Sequence, residues 1–151
     1  MSGLKDRLAT EFKTAMLARD GFLSETLGGL KAVILNQEIA SGKRNTGLTD
    51  AEIESLFAKE LKKREEAAVL YEQGGNQEKA DKERREKVVI AAFLPKQLSE
   101  AEVEVLVDNA IAETTAESAK DMGKVIAGVK AKAGSSADGA LIAKLAKAKL
   151  Q

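Results

Sequence analysis

Apolar residues recur along this chain at the three- and four-residue spacing of amphipathic α-helices. In the first such pattern the apolar face consists of Leu4, Leu8, Phe12 and Ala15. A second pattern runs from about Phe22 to Ile39 and contains Gly28 and Gly29, which indicate either a close helix crossing or a kink. No segment alternates apolar and polar residues long enough to indicate a strand. The pattern predicts an all-α protein.

The third helix is predicted to begin at the capping box of Thr49 and Glu52 and to continue to Tyr71. The preceding segment, residues 41–47, is basic and contains two glycines, which is typical of a solvated loop but also of a phosphate contact. A turn at residues 74–76 separates the third helix from a fourth, predicted over residues 77–94.

Two features mark the fourth helix. Charges of both signs alternate through residues 79–87, which favours i,i+4 ion pairs along a solvated helix over a nucleic-acid patch. Residues 88–94 are apolar on every side of the helix. We therefore expect the carboxyl end of this helix to be buried where the two halves of the protein meet.

The strongest boundary in the sequence follows at Pro95. Proline lacks the backbone N–H and disfavours a helical conformation at the preceding residue. Four residues later, Ser99 and Glu102 form a capping box that starts a new helix. The stop and the restart predict two domains, residues 1–94 with four helices and residues 95–151 with a small three-helix bundle.

Within the second domain, apolar spacing predicts helices over residues 103–111, 122–129 and 137–150. Their charges are unevenly distributed. Residues 97–121 carry seven carboxylates against one lysine, whereas residues 122–151 carry six lysines against Asp138 alone. Lysines can follow a phosphate backbone without reading bases. They can equally complement helix dipoles and keep an alanine-rich helix in solution, and this alternative stays open.

Composition removes several functional classes. The chain has 24 basic and 24 acidic residues, no histidine, no cysteine and no tryptophan. Thiol nucleophiles, thiolate metal sites and the commonest general base are thus excluded, and no convergent catalytic set or phosphate-binding glycine loop is present. We expect no enzyme activity, no cofactor and no metal. With no signal-like or membrane-length apolar run, the chain is expected to be cytoplasmic and without a membrane partner.

Several motifs together resemble the YqeY family. They are Phe93-Leu94-Pro95-Lys96-Gln97-Leu98-Ser99, Asp121-Met122-Gly123-Lys124-Val125 and Ala137-Asp138-Gly139, supported upstream by Leu48-Thr49-Asp50-Ala51-Glu52, Lys62-Lys63-Arg64-Glu65 and Asn36 with Glu38-Ile39. The resemblance covers nearly the whole chain. It implies a helical N-terminal domain and a C-terminal domain similar to the tail of GatB, a subunit of the aminoacyl-tRNA amidotransferase.

In that enzyme the tail helps to hold tRNA, while the chemistry lies in other domains. The resemblance therefore implies a module associated with tRNA or with a tRNA-handling enzyme, and a carbon–nitrogen ligase label by association only. Three positions depart from the family pattern. Gly28, Leu35 and Ser136 stand where basic residues are usual, which reduces the positive charge available for RNA.

Our hypothesis is a non-catalytic, tRNA-associating adaptor, with no DNA partner and an undetermined oligomeric state. The candidate phosphate-binding residues are Lys96, Lys124, Lys130, Lys132, Lys144 and Lys147. The rival hypothesis is a protein-interaction or scaffold module that docks partner helices through its N-terminal surfaces and binds no RNA. Salt separates the two, because phosphate binding weakens steeply as salt rises and an apolar interface does not.

Overall fold

The computed structural model describes residues 3–151. Over that range it contains α-helices and short 3₁₀ turns and no strand, so the predicted all-α fold is confirmed. The chain divides into two compact units, one that ends at Leu94 and one that begins at Pro95. Each unit has a hydrophobic core of its own.

Four helices form the first unit: α1 (Gly3–Leu17), α2 (Gly21–Ala40), α3 (Asp50–Gln73) and α4 (Gln77–Ala91). Side-chain caps fix where they begin. Asp20 accepts a hydrogen bond from the N–H of Leu23, Thr49 and Glu52 form the predicted capping box, and Asn76 accepts from the N–H of Lys79. Each cap satisfies a backbone donor that would otherwise lack a partner at the start of a helix.

The core of the first unit is centred on aromatic and branched aliphatic side chains from all four helices. The rings of Phe57 and Phe93 meet edge to face, with centroids 5.9 Å apart, which is a favoured geometry for an aromatic pair. The guanidinium of Arg7 covers the Phe93 ring with its Cζ 4.5 Å from the centroid. These contacts attach the segment after α4 to α1 and α3.

Gly28 resolves one of the open alternatives for α2. A Cβ atom at Gly28 would lie 3.3 Å from Cε1 of Phe12, so the glycine allows α1 and α2 to approach closely. Gly29 has no atom within 4 Å of its Cβ position and is exposed. Packing therefore accounts for Gly28 and not for Gly29.

The expectation that the apolar carboxyl end of α4 is buried is wrong for part of its residues. Ile90 and Phe93 are buried in the core of the first unit, whereas the Val88 side chain is 71% exposed. Helix α4 also ends three residues earlier than predicted, and the N–H groups of Phe93 and Leu94 bond to carbonyls three residues back. A helix that packs on one side buries only that side, whatever the polarity of its other positions.

The second unit contains α5 (Glu100–Thr114), α6 (Met122–Ala133) and α7 (Gly139–Leu150), with 3₁₀ turns at Ala119–Asp121 and Gly134–Ser136. The predicted capping box of Ser99 and Glu102 starts α5. Leu98, which precedes it, packs against the core and donates its N–H to the carbonyl of Ser136 at 2.7 Å. The bundle core comes from one apolar face of each helix: Val103, Val107, Ala110, Val125, Val129, Ile142, Ala146 and Leu150.

Candidate nucleic-acid interface

Two lysines of the basic helices are ion-paired with the acidic helix α5. Lys132 of α6 lies with its Nζ 2.7 Å from a carboxylate oxygen of Glu113. Lys149 of α7 contacts two carboxylates of α5, at 3.1 Å from Glu104 and 2.8 Å from Asp108. The uneven charge found in the sequence thus serves partly to hold α6 and α7 against α5.

Lys149 is the less exposed of the two lysines and has two carboxylate partners. Its side chain is only 26% exposed, and hydrogen bonds to Asp108 and then Glu104 raise the pKa of its ammonium. We therefore assign Lys149 a structural role, in which it holds α7 against α5. The Lys132 side chain is 48% exposed and pairs with Glu113 alone. It can contact an RNA phosphate only when the ion pair with Glu113 breaks.

The remaining candidates of α6 and α7 are exposed: Lys124, Lys130, Lys144 and Lys147. Lys144 and Lys147 are three residues apart on α7, which places them one above the other on the helix surface, away from buried Ile142. Neither of them lies within 4.0 Å of a carboxylate among residues 3–151. This pair is the clearest double-cation position in the second unit.

Lys130 lies next to the beginning of α7. Its Cε and Nζ atoms are 3.7 Å from the position that a Cβ on Gly139 would occupy. There Asp138 caps the helix by accepting a hydrogen bond from the N–H of Ala140 at 3.2 Å. Lys130 of α6 therefore places a cation beside the first residues of α7.

The three lysines of α6 do not form one patch. At 100° per residue, Lys130 and Lys132 lie about 160° apart around the helix. Lys132 faces α5 and Lys130 faces the start of α7. Lys124, in the first turn of α6, lies about 100° around the helix from buried Val125 and about 140° from buried Val129. Lys96 is exposed in the connector that precedes α5.

The turn before α6 is organised by Asp121. Its carboxylate accepts hydrogen bonds from the N–H groups of Glu117, at 3.0 Å, and Ser118, at 3.4 Å. These bonds, the one from Glu117 first, lower the pKa of Asp121, and the charge of Lys124 contributes in the same direction. Lys124 is thus placed one turn after a carboxylate that stays ionised at neutral pH.

The basic loop at residues 41–47 is tied to the cap of α3. Lys43 donates a hydrogen bond to Glu52, the acidic member of the capping box, and this bond is the largest cause of the lowered pKa of Glu52. Lys43 therefore has a structural role. Arg44 is exposed at the tip of the loop.

Two carboxylates of the first unit are buried, although charged side chains are ordinarily solvated. The Glu60 side chain is 8% exposed and pairs with Lys63 and Arg64, while Glu38 is 3% exposed and pairs with Lys5. The sequence signal for this burial is the spacing of each glutamate from an apolar residue of the same helix. Glu60 lies three residues after Phe57 and Glu38 four residues after Ile34, so each continues the apolar stripe of its helix.

Between α3 and α4 the ion pairs cross from one helix to the other. Arg64 lies 3.0 Å from Glu86 and 3.8 Å from Glu83, and Glu65 pairs with both Arg84 and Lys87. The predicted pairing along α4 is replaced, for these side chains, by pairing with α3. Burial, more than any neighbouring charge, raises the pKa of Glu86, whereas the hydrogen bond from Lys87 lowers that of Glu65.

None of these clusters has the ligands or the geometry of a metal centre. Among residues 3–151, no group of three or more aspartate or glutamate side chains is arranged to hold a metal ion. No helix in the same range has both the length and the apolar character needed to cross a membrane.

The sequence profile of the family described as Yqey-like protein matches residues 5–150. The chain belongs to the YqeY family. The match spans both compact units and includes every lysine considered above. No curated protein matches the chain closely enough to be counted as a relative.

Proposed function

We propose that this YqeY-family protein is a non-catalytic, cytoplasmic adaptor that associates with tRNA, or with an enzyme that handles tRNA, through its C-terminal unit. Lysine side chains contact the phosphate backbone and no base is read. The observation that carries the proposal is the exposed pair Lys144 and Lys147, with Lys130 beside the start of α7. Lysine is a point charge suited to phosphate.

The ion pairs within the bundle support this proposal, because they reduce the negative charge of α5. Lys132 and Lys149 neutralise carboxylates of α5, so the acidic helix does not oppose the approach of a polyanion as strongly as its sequence suggests. Four exposed lysines then remain on α6 and α7. Four phosphate contacts give a slope of about −3 for the logarithm of the binding constant against the logarithm of the salt concentration.

The test is a salt series with labelled total tRNA and the full chain. The informative variant is Lys144→Glu with Lys147→Glu. Its matched control is Lys59→Glu with Lys62→Glu on α3, which has the same three-residue spacing, exposure and change in net charge. We expect the first variant to weaken binding strongly and to flatten the salt slope by about 1.5, half of its value, and the control to leave the slope unchanged.

Two results would overturn the adaptor proposal. One is the absence of saturable binding at low salt. The other is an equal loss of binding in both double variants, which would mean that net charge alone governs the association. Either result favours the rival module that binds a protein partner, and pull-down experiments at high salt would then be the next step.

A further inference from the structure

A groove with a volume of about 460 Å³ lies between α1 and α2 in the first unit. Its lining includes the buried side chains of Leu8 and Ile34, together with Ala9, Ala32 and Leu35. The two alanines leave the space open, since a longer side chain at either position would occupy it. Sites for small ligands have volumes of about 300–1,000 Å³ and mostly apolar linings.

One end of the groove holds a buried negative charge. The Glu38 side chain is 3% exposed, and its Oε1 lies 2.6 Å from Nζ of Lys5. Lys5 is 46% exposed, so its ammonium reaches the carboxylate from the solvent side. A buried carboxylate requires a cation or hydrogen-bond donors. In this ion pair Glu38 is the buried side chain, and Lys5 is the exposed side chain that has room to move.

The other end of the groove is formed by Lys31. Its ammonium lies 4.5 Å from the centroid of the Phe12 ring, which attracts cations through its π face. Lys31 and Glu38 are seven residues apart, about 10 Å along α2. Between them the lining is apolar apart from the groups already named and Asp6 at the rim.

We propose that this groove binds a small organic cation of the primary alkylamine class. The ligand ammonium takes the position of the Lys5 Nζ on Glu38, and its hydrocarbon chain lies over Leu8 and Ile34 between the two alanines. Lys5 moves into solvent when the ligand enters. This proposal is independent of RNA binding, which concerns the other unit.

At the Glu38 end of the groove, the buried carboxylate favours a cation over an anion. A ligand that displaces Lys5 from Glu38 must itself supply a positive group, because the buried carboxylate would otherwise lose its partner. An anion on Lys5 would instead place two negative charges together beside an apolar wall. Exchanging one ammonium for another keeps the charge balance, so burial of the hydrocarbon chain provides the net affinity.

The experiment follows backbone amide shifts of the full chain during titration with n-octylammonium chloride, below its micelle concentration. We expect saturable shifts confined to residues 5–9 and 31–38, and none with n-octanoate. Glu38→Gln should weaken binding about tenfold or more, because a charge-assisted hydrogen bond is lost. Lys5→Met should strengthen binding, because the internal competitor is gone, whereas Lys13→Met elsewhere on α1 should not.

A variant that fills the groove keeps the test decisive if Glu38→Gln fails to fold. Ala32→Leu, at an exposed helical position, should abolish the shifts, and Ala51→Leu at an exposed position of α3 should leave them intact. The proposal is overturned by the absence of saturable shifts, by octanoate binding the same residues as tightly as the amine, or by weaker amine binding in Lys5→Met.

Discussion

The ammonium of Lys149 on α7 lies 2.8 Å from Oδ1 of Asp108 on α5. The contact joins the last helix of the chain to the acidic helix of the same unit. Two residues earlier on α7, Lys147 is exposed and has no carboxylate within 4.0 Å among the described residues. Neighbouring lysines of one helix therefore have different surroundings, and we infer different roles for them.

This difference predicts opposite effects for two matched variants. Lys149→Met should lower the thermal unfolding midpoint of the chain, because Asp108 and Glu104 lose their partner, and should leave tRNA binding nearly unchanged. Lys147→Met should leave the midpoint unchanged and weaken tRNA binding. Thermal unfolding followed by circular dichroism and binding at low salt measure both properties. Equal loss of tRNA binding in the two variants would contradict the assignment of Lys149 to the bundle.

A second matched pair tests the end of α4. Ile90→Ala should lower the free energy of unfolding by about 2–5 kcal/mol, since it leaves a cavity in the core of the first unit. Val88→Ala changes an exposed side chain two residues away and should stay within about 0.5 kcal/mol of the wild type. Urea denaturation gives both values. A comparable loss for Val88→Ala would show that this residue is covered in solution.

The beginnings of the helices were accessible from the sequence because caps act locally. Thr49 with Glu52 and Ser99 with Glu102 need only neighbouring backbone donors, and both capping boxes are present in the structure. The carboxyl end of α4 was not accessible in the same way. Its apolar residues do not reveal which side faces a neighbour, and Val88 is exposed while Ile90 is buried.

In the candidate site, too, the residues can be predicted from the sequence but their contacts cannot. The sequence identifies the lysines, but their partners lie far away along the chain: Lys149 contacts Glu104, and Lys132 contacts Glu113. Which lysines remain exposed depends on the packing of three helices. Burial of Glu38 also depends on tertiary packing: its spacing from Ile34 continues the apolar stripe of α2, but a charged residue at such a position is ordinarily solvated.

The two adjacent glycines of α2 should respond in opposite ways to alanine. Gly29→Ala should stabilise the protein by about 0.5–1 kcal/mol, since the position is helical and exposed and has open space for a methyl group. Gly28→Ala should lose that gain or reverse it, because the new methyl group would lie 3.3 Å from the Phe12 ring. Chemical denaturation of the two variants decides this. Equal stabilisation would mean that the Phe12 ring shifts at little cost.

Glu86 provides a prediction about pH. Its side chain is 16% exposed at the interface of α3 and α4, where burial raises its pKa and the carboxylates of Glu83 and Glu25 add to the effect, against Arg64 and Lys82. The folded protein therefore holds the proton of Glu86 more tightly than the unfolded chain does. The stability that this provides is present below the unfolded pKa of about 4.3 and is lost as the pH rises through the folded pKa.

Glu86→Gln removes this dependence because glutamine resembles the protonated acid. We expect the variant to be more stable than the wild type at pH 7 and equal to it near pH 3. The measurement is the unfolding free energy of the variant minus that of the wild type, obtained in urea across that pH range. This difference isolates Glu86, because other carboxylates are the same in both proteins. Glu65 is an example: its pKa is lowered, so its contribution to stability is lost as the pH falls. The opposite result is a Glu86→Gln variant that is less stable than the wild type at pH 7 but equal to it at pH 3. That result would mean that the attraction between Arg64 and the Glu86 carboxylate outweighs the loss of hydration of that carboxylate.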